Sequence, residues 1–426
     1  MGPTLGRLEV SRVTILQRYM LRELLEPFGL GLGVFTFVFL VGQLYRILDL
    51  LMNQSVRPLV VIELILALLP GILSLTIPMA LLVAVLLSVG RLAADREILA
   101  IRMSGVNLVH IFWPVLGVAA TAALLMILGN QKLVPFLNLK STDLAIQIEF
   151  DVLSSIPPNR FFELDTAAEG QSSVFFYEKR EPVTGDMKHI NIKTTIEPKT
   201  DETEKAREKQ LRERMKTAIK SNDKRTLAAL RKELQKIEQA RKDRKVNESL
   251  ICANQGRIEA DLAARMISIH LTTGSIHFVD PDRPTAYNII RFDEMRKGIR
   301  PRMTRTEEGA YEKAPREMST AELRTAMINS TKPGRYYTEL LQRFSIPLAC
   351  IAFVLIGFPL AVYVKPTGKA IAFAISFFLI LLYYGLLNYG ISLGRTGSTM
   401  AGFAIFFPNI LLALVGSFLL YRMVMK

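Results

Sequence analysis

The sequence predicts an α-helical polytopic membrane protein. Six transmembrane helices in a three-plus-three arrangement flank an all-β, sandwich or jelly-roll-like domain, which carries an inserted charged helical hairpin. Three observations carry this reading. Six apolar blocks of about 20 residues or more lie in two groups of three, around a long stretch that holds none. That stretch contains short Val/Ile/Phe/Tyr/Thr-rich runs punctuated by turns. Within it, Asp201–Lys245 is depleted of Gly and Pro and carries 16 Lys+Arg against 9 Asp+Glu.

The blocks are Phe28–Leu48, Leu59–Val89, Leu108–Leu128, Ser345–Val364, Ala370–Leu393 and Met400–Tyr421. At 1.5 Å per residue each can cross roughly 30 Å of hydrocarbon. None shows a one-sided amphipathic pattern, as expected of helices surrounded by lipid or by other helices. Leu59–Val89 is long for a bilayer, so it should tilt or project. Pro70, Pro78, Pro114, Pro347, Pro359 and Pro408 sit inside the blocks, where they bend helices without ending them. Two readings of these prolines stand open: tolerated bends, or points about which helices move. No small-residue cleavage site follows the first block, which reads as a signal anchor.

Charge in the short loops sets the orientation. With the N-terminus inside, the inside segments hold Arg7, Arg12, Arg18, Arg22, Arg91, Arg96, Arg102, Lys365, Lys369, Arg422 and Lys426, while the short outside loops hold only Arg46, Arg57 and Arg395. Both termini are then cytoplasmic. The segment layout is 1–27 inside, 28–129 the first three spans with a connecting helix at 91–105, 130–343 outside, and 344–426 the last three spans.

The outside domain should build its strands from Ser172–Ile196 and Ser249–Ile299, with turns at Thr273–Gly274 and Asp280–Pro284. In the hairpin at 201–245, Leu227, Leu230, Leu234 and Ile237 fall at helical spacing. It reads either as a solvated hairpin or as an arm for a partner or an anion. The whole chain has 53 Lys+Arg against 39 Asp+Glu, a charge of +14, and half of that excess lies in this outside hairpin. Placed there, it is no longer an argument for nucleic acid.

No catalytic constellation is visible. Thr367-Gly368-Lys369-Ala370 lacks the upstream Gly and the hydroxyl of a phosphate-binding loop, so the chain is not expected to hydrolyse ATP itself. His270 and His277 are seven apart in strand-like sequence, hence on opposite faces and unsuited to a shared metal. Cys252 lies outside and Cys350 in a span, so they should not pair. Gly29-x-Gly31-x-Gly33 suggests close helix packing. In Gly90–Val106, apolar Leu92, Ile98, Leu99, Ile101 and Met103 are interleaved with charge, and Gly105 marks a stop. This is a short amphipathic helix at the inner surface. It either joins two spans or docks onto a soluble motor, with Asp95 and Glu97 pairing partner cations.

Several motifs in order resemble one family. They are Arg18-Tyr19-x-x-Arg22-Glu23-x-x-x-Pro27-Phe28; Gly90-Arg91-Leu92 with Asp95-x-Glu97-Ile98-x-Ala100-Ile101-Arg102-x-x-Gly105; Arg291-Phe292-Asp293; Glu339-Leu340-x-x-Arg343-Phe344-Ser345-Ile346-Pro347; and Gly357-x-Pro359-Leu360. The chain resembles the lipopolysaccharide export permeases LptF and LptG, over roughly 12–197 and 249–426. The hairpin 201–245 departs from the pattern as an insertion. The resemblance implies an ABC exporter half-permease of the bacterial inner membrane, with a periplasmic β-jellyroll and no cofactor of its own. It implies a second LptF/LptG-type chain, two copies of the cytoplasmic ATPase LptB carrying ATP-Mg, and an LptC-type jellyroll protein that receives the lipid. The family's coupling-helix glutamate maps onto Glu97, with flanking charges at Arg91, Asp95 and Arg102. Gln43–Asp49 and Gly90-Arg91-Leu92 look more LptF-like. Relatives often carry Lys or Arg in the first span; Phe28–Gly42 has none. Arg46, Arg57 and Arg343, at the outer ends of spans one, two and four, read either as ordinary membrane-interface arginines or as the residues that grip the lipid's phosphates. The alternative from another class is a membrane-anchored envelope assembly protein without transport. An ion-coupled carrier is disfavoured, since the spans hold few ionisable residues beyond Glu63 and His110.

Overall fold

The structure is a computed structural model. It describes residues 5–51, 58–165, 171–181, 184–196, 211, 215, 230, 247–261, 266–279, 287–299, 313–330, 333–364, 369–397 and 400–425, with backbone alone for 5–14, 44–51 and a few residues at the ends of strands and helices. Four helices precede the strands: α1 (Leu5–Leu51), α2 (Pro58–Ala94), α3 (Glu97–Met103) and α4 (Val109–Ser154). Four follow them: α5 (Thr320–Asn329), α6 (Pro333–Val364), α7 (Lys369–Arg395) and α8 (Ala401–Met425). Among the described residues six segments are long and apolar enough to cross a membrane: Ile15–Gln43, Pro58–Ala94, Val109–Ser154, Pro333–Val364, Ala370–Arg395 and Ala401–Met423. The prolines of the apolar blocks lie inside these helices without ending them.

The helices outrun the blocks. The 37 residues of α2 make a rod of about 55 Å and the 46 of α4 one of about 70 Å, both longer than the hydrocarbon layer. The third block was expected to end at Leu128; α4 continues to Ser154 because its second half turns amphipathic. Leu144, Ile148 and Val152 are buried there, at helical spacing.

The chain divides into two compact units, one holding the first helix, Arg57–Leu144 and Lys313–Lys426, the other Ala145–Glu312. In the helical unit α2 and α6 are central, with 72% and 67% of their apolar windows buried, whereas the window of α1 is 11% buried. Helices cross closely where side chains are small. A Cβ on Gly416 of α8 would stand 2.5 Å from the Leu355 carbonyl of α6, so only Gly fits there. Of the three glycines at 29, 31 and 33, Gly31 alone meets a neighbour, Ala80 at 3.4 Å. Polar groups inside the bundle bond across it: Asn409 Nδ2 donates to the Ser345 carbonyl (2.8 Å) and hydroxyl (2.9 Å), and Ser345 Oγ donates to the Ile405 carbonyl (2.9 Å). Glu63 is half-buried and pairs with Lys140 of α4 at 2.6 Å, and His110 is exposed, so neither is a charge stranded in the bundle.

In the second unit, β1 (Phe162–Asp165), β2 (Gln171–Arg180), β3 (Met187–Ile196), β4 (Asn247–Asp261), β5 (Met266–Val279) and β6 (Tyr287–Ile299) form one antiparallel sheet in the order β1-β2-β3-β4-β5-β6. The all-β domain is therefore present, but its described strands form an open meander, without the crossovers of a jelly roll. A crease gives this single sheet two arms. The ladders are interrupted at His189, Asn254, Thr273 and Asp293, which lie in line across four strands. His189 and Thr273 have φ of 55° and 51°. The interruption reverses the inside–outside alternation of each strand while the pairing register is kept. Hence Met187 and Ile190, three apart, are both buried, as are Ala253 and Ile258, five apart. Strands that bend together along one line fold a single sheet into two facing layers. Across the interior Lys297 Nζ of β6 donates to Thr194 Oγ1 of β3 at 2.6 Å, and Thr194 meets Ser173 at 3.1 Å. Ile146 and Leu153 from the end of α4 join this core.

The crease corrects the histidine reading. With the alternation reversed at Thr273, His270 and His277 both lie on the outer face, each with its own neighbour: Glu294 at 3.8 Å and Ser275 at 2.8 Å. No group able to hold a metal is found among the described residues. Cys252 and Cys350 are both free thiols. The helical hairpin 201–245 lies outside the described residues, apart from Leu211, Met215 and Leu230, which are helical.

Candidate functional site

The segment expected to form one helix at 91–105 is broken in two. Arg91 and Leu92 finish α2, and Asp95 and Arg96 form a turn with Arg96 at φ 61°. The seven residues of α3 follow. The left-handed residue stops one helix and starts the next, which explains why no Gly or Pro announces the break. At the far end Ser104 N–H donates to the Ala100 carbonyl (3.0 Å), Gly105 N–H to that of Arg102 (3.1 Å), and Gly105 takes φ 83°. Gly tolerates that conformation at no steric cost. Glu97 in the first turn and Arg102 in the last suit the helix dipole.

So short a helix does not hold itself. Its support is apolar: Ile98 is buried and Ile101 half-buried, in a cluster with Leu16, Met20, Val89, Leu92, Leu108, Ile111 and Phe358. Two polar ties come from α1. Glu23 pairs with Arg91 through its Oε2, and Tyr19 OH donates to Glu97 Oε2 at 3.0 Å. The opposite side of the segment is open. Leu99 is 53% and Met103 80% exposed, one turn apart on the same face. Asp95 and Arg102 are exposed and have no side-chain partner among the described residues. The result is an anchored platform with two projecting apolar side chains and free charges of both signs.

Of the three arginines expected to face a headgroup, Arg57 lies outside the described residues, and Arg46 is in α1 with its side chain outside them. Arg343 is described, and it points inward. Its guanidinium is buried and Nη2 donates to the carbonyls of Pro315 (3.2 Å) and Met318 (2.6 Å), while Nη1 finds no partner among the described residues. It braces the turn Pro315–Glu317 that leads into α5. The same corner is secured by Thr142 Oγ1 donating to Glu317 (2.7 Å) and by a capping box in which Ser319 and Glu322 bond each other's backbone N–H. The ammonium of Lys313, 2.6 Å away, holds the Glu322 carboxyl below its usual range. An arginine cluster missed in the sequence stands beside Arg343. Glu339 feels the charges of Arg316, Arg343, Arg395 and Arg335, with Arg316 Nε 3.8 Å away. Arg316, Arg335 and Arg395 are exposed. The four-residue steps Arg335–Glu339–Arg343 were the available signal, since they share one helix face.

Comparison with known families decides the assignment. The family model described as lipopolysaccharide export system permease LptF/LptG matches residues 18–218 and 199–422. The chain belongs to this family. The two matched stretches overlap at 199–218, and the second runs through 201–245, the segment expected to depart from the family pattern. No curated protein matches the chain. The permease is thus a multi-pass inner-membrane protein and a component of a lipopolysaccharide export complex, and it acts as a transporter subunit, not an enzyme. In the permease, two of the motifs that carried the resemblance meet in space: Tyr19 and Glu23 from the first, Arg91 and Glu97 from the second.

Proposed function

We propose that the permease is one of two LptF/LptG-type chains, of the LptF type, in an ABC exporter that draws lipopolysaccharide out of the inner membrane. Two copies of a separate cytoplasmic ATPase, LptB, carry ATP-Mg and supply the energy, and this chain binds no cofactor. Both termini face the cytoplasm and the β domain is periplasmic, as the arginine and lysine count of the loops favours. The β domain hands the lipid to an LptC-type jellyroll protein. The unpaired edge of β6 among the described strands suits such an edge-to-edge addition.

The observation that carries the reading is the anchored platform between α2 and α4. Leu99 and Met103 are large apolar groups held in water beside Asp95, Glu97 and Arg102, and such a pattern fits a partner's groove better than solvent. Glu97 keeps Oε1 for a cation of the ATPase while Oε2 accepts from Tyr19. Arg91 and its ion pair set the platform's base. At the other end of the helices, the headgroup phosphates would meet Arg46 and Arg57 together with the exposed guanidinia of Arg316, Arg335 and Arg395; Arg343 steadies them from within. A guanidinium suits phosphate because it donates two parallel bonds.

The test is co-purification of the ATPase with the permease pair, in parental form and as Glu97→Ala, followed by ATP-driven lipid release. The variant should retain at most about a tenth of the bound ATPase, as loss of one charged contact in a small interface implies. Parental levels of ATPase and of release in Glu97→Ala would overturn the docking assignment.

A further inference from the structure

Tyr19 and Glu23 lie four residues apart on α1, one turn along the same face. Glu23 reaches the last turn of α2 and Tyr19 the first turn of α3, on opposite sides of the left-handed break at Arg96. Glu23 takes Arg91, before the break; Tyr19 takes Glu97, after it. Leu16 and Met20 add apolar contact with Ile98 and Ile101 on the same helix face. α1 therefore grips both parts of the platform. Further along it packs along α2, with Phe28, Phe35 and Phe39 against the bundle core, Gly31 against Ala80 and Thr36 Oγ1 3.2 Å from Thr76 Oγ1, yet only 11% of its apolar window is buried, against 72% for α2.

We propose that Tyr19 is a positioning residue that transmits displacement of the platform to the first span, so that α1 moves with α3 when the ATPase pulls. This rests on the docking reading of residues 91–105 given above. The rest of the described α1 surface is largely exposed, so a pull at its inner end tilts it along α2. The break at Arg96 lets α3 rotate against α2. The Tyr19 hydroxyl on Glu97 converts that rotation into a pull on α1, and the Glu23–Arg91 pair sets the pivot. The first span then opens or closes the lipid's lateral path in step with ATP. The inference also accounts for two motifs 70 or so residues apart: their polar members are each other's partners.

The experiment uses the intact complex in vesicles containing lipopolysaccharide, comparing parental protein with Tyr19→Phe and Glu97→Gln. Phe keeps the ring and removes only the donor. Gln keeps an acceptor for Tyr19 while removing the charge. Tyr19→Phe should bind the ATPase and hydrolyse ATP at the parental rate, yet release about tenfold less lipid per ATP, the scale expected for one hydrogen bond to a carboxylate. Hydrogen exchange in residues 15–43 should lose its dependence on vanadate trapping. Glu97→Gln, which loses the docking charge, should bind less ATPase, and parental ATPase binding by that variant would overturn the docking reading. Parental lipid per ATP in Tyr19→Phe would overturn the proposal. So would loss of the ATPase from that variant, which would place Tyr19 in the docking surface instead. Absence of the ATPase from the parental complex would overturn the docking reading, and this proposal with it.

Discussion

Arg343→Met isolates what the inward-facing guanidinium does, because Met keeps most of the stem and removes the charged fork. Two hydrogen bonds are lost, at 3.2 and 2.6 Å to the carbonyls of Pro315 and Met318. Bonds with a charged partner contribute roughly 1.5–3 kcal/mol each, so the gross loss is about 3–6 kcal/mol. Against it stands Nη1, buried and unpartnered, whose removal from the interior returns about 1–3 kcal/mol. The balance is a destabilisation of about 2–3 kcal/mol, concentrated where the turn Pro315–Glu317 meets α6. Thermal unfolding of the purified permease in detergent should therefore shift downward. Limited proteolysis should cut sooner within 313–330. Lipopolysaccharide crosslinking to Arg46 should persist in the folded fraction. Unchanged melting together with lost crosslinking would refute the reasoning and make Arg343 a lipid contact.

Two further outcomes follow from the packing and from a buried charge. Burial pushes the Lys297 ammonium down to about 8 from its ordinary 10.5; below about 8 both folded and unfolded chains are protonated and the penalty is constant, whereas between about 8 and 10.5 the folded state sheds its proton first. The β domain should thus gain stability as pH rises through that window, by about 3 kcal/mol at most, and Lys297→Met should abolish the slope in melts taken from pH 7 to 10. Gly416→Ala should destabilise the bundle by about 1–3 kcal/mol, because its Cβ would stand 2.5 Å from Leu355 backbone, whereas Gly29→Ala, with nothing within 4 Å, should leave the melting temperature unchanged.

The six spans were legible because an apolar run long enough to cross a bilayer admits few alternatives. Their ends were not. Past Leu128, α4 exchanges lipid-facing apolarity for an amphipathic stripe through Leu144, Ile148 and Val152, a pattern that a hydropathy reading passes over. The strands were legible from composition and turns, but the crease was not, since a left-handed non-glycine residue such as His189 or Thr273 leaves no compositional trace. It changes only which alternate residues face inward, as Met187 and Ile190 show. Within the site, Gly105 announced the end of α3, whereas the break at Arg96 depends on a left-handed non-glycine residue and could not be read. Arginine at the outer end of a span suggests a headgroup contact by position alone. Arg343 faces inward because α6 winds it toward the carbonyls of Pro315 and Met318, a consequence of tertiary placement. The partnership of Tyr19 with Glu97 is likewise a long-range contact that neither motif could disclose alone.

In the proposed mechanism this permease moves lipopolysaccharide at the expense of ATP hydrolysed by a separate subunit docked on residues 91–105. The direct measurement is release of lipopolysaccharide from vesicles carrying the purified complex to an LptC-type acceptor, with and without ATP. Release should require ATP, the bound ATPase and an intact Glu97. Release independent of ATP, or no release from a complex that retains the ATPase and hydrolyses ATP, would contradict it.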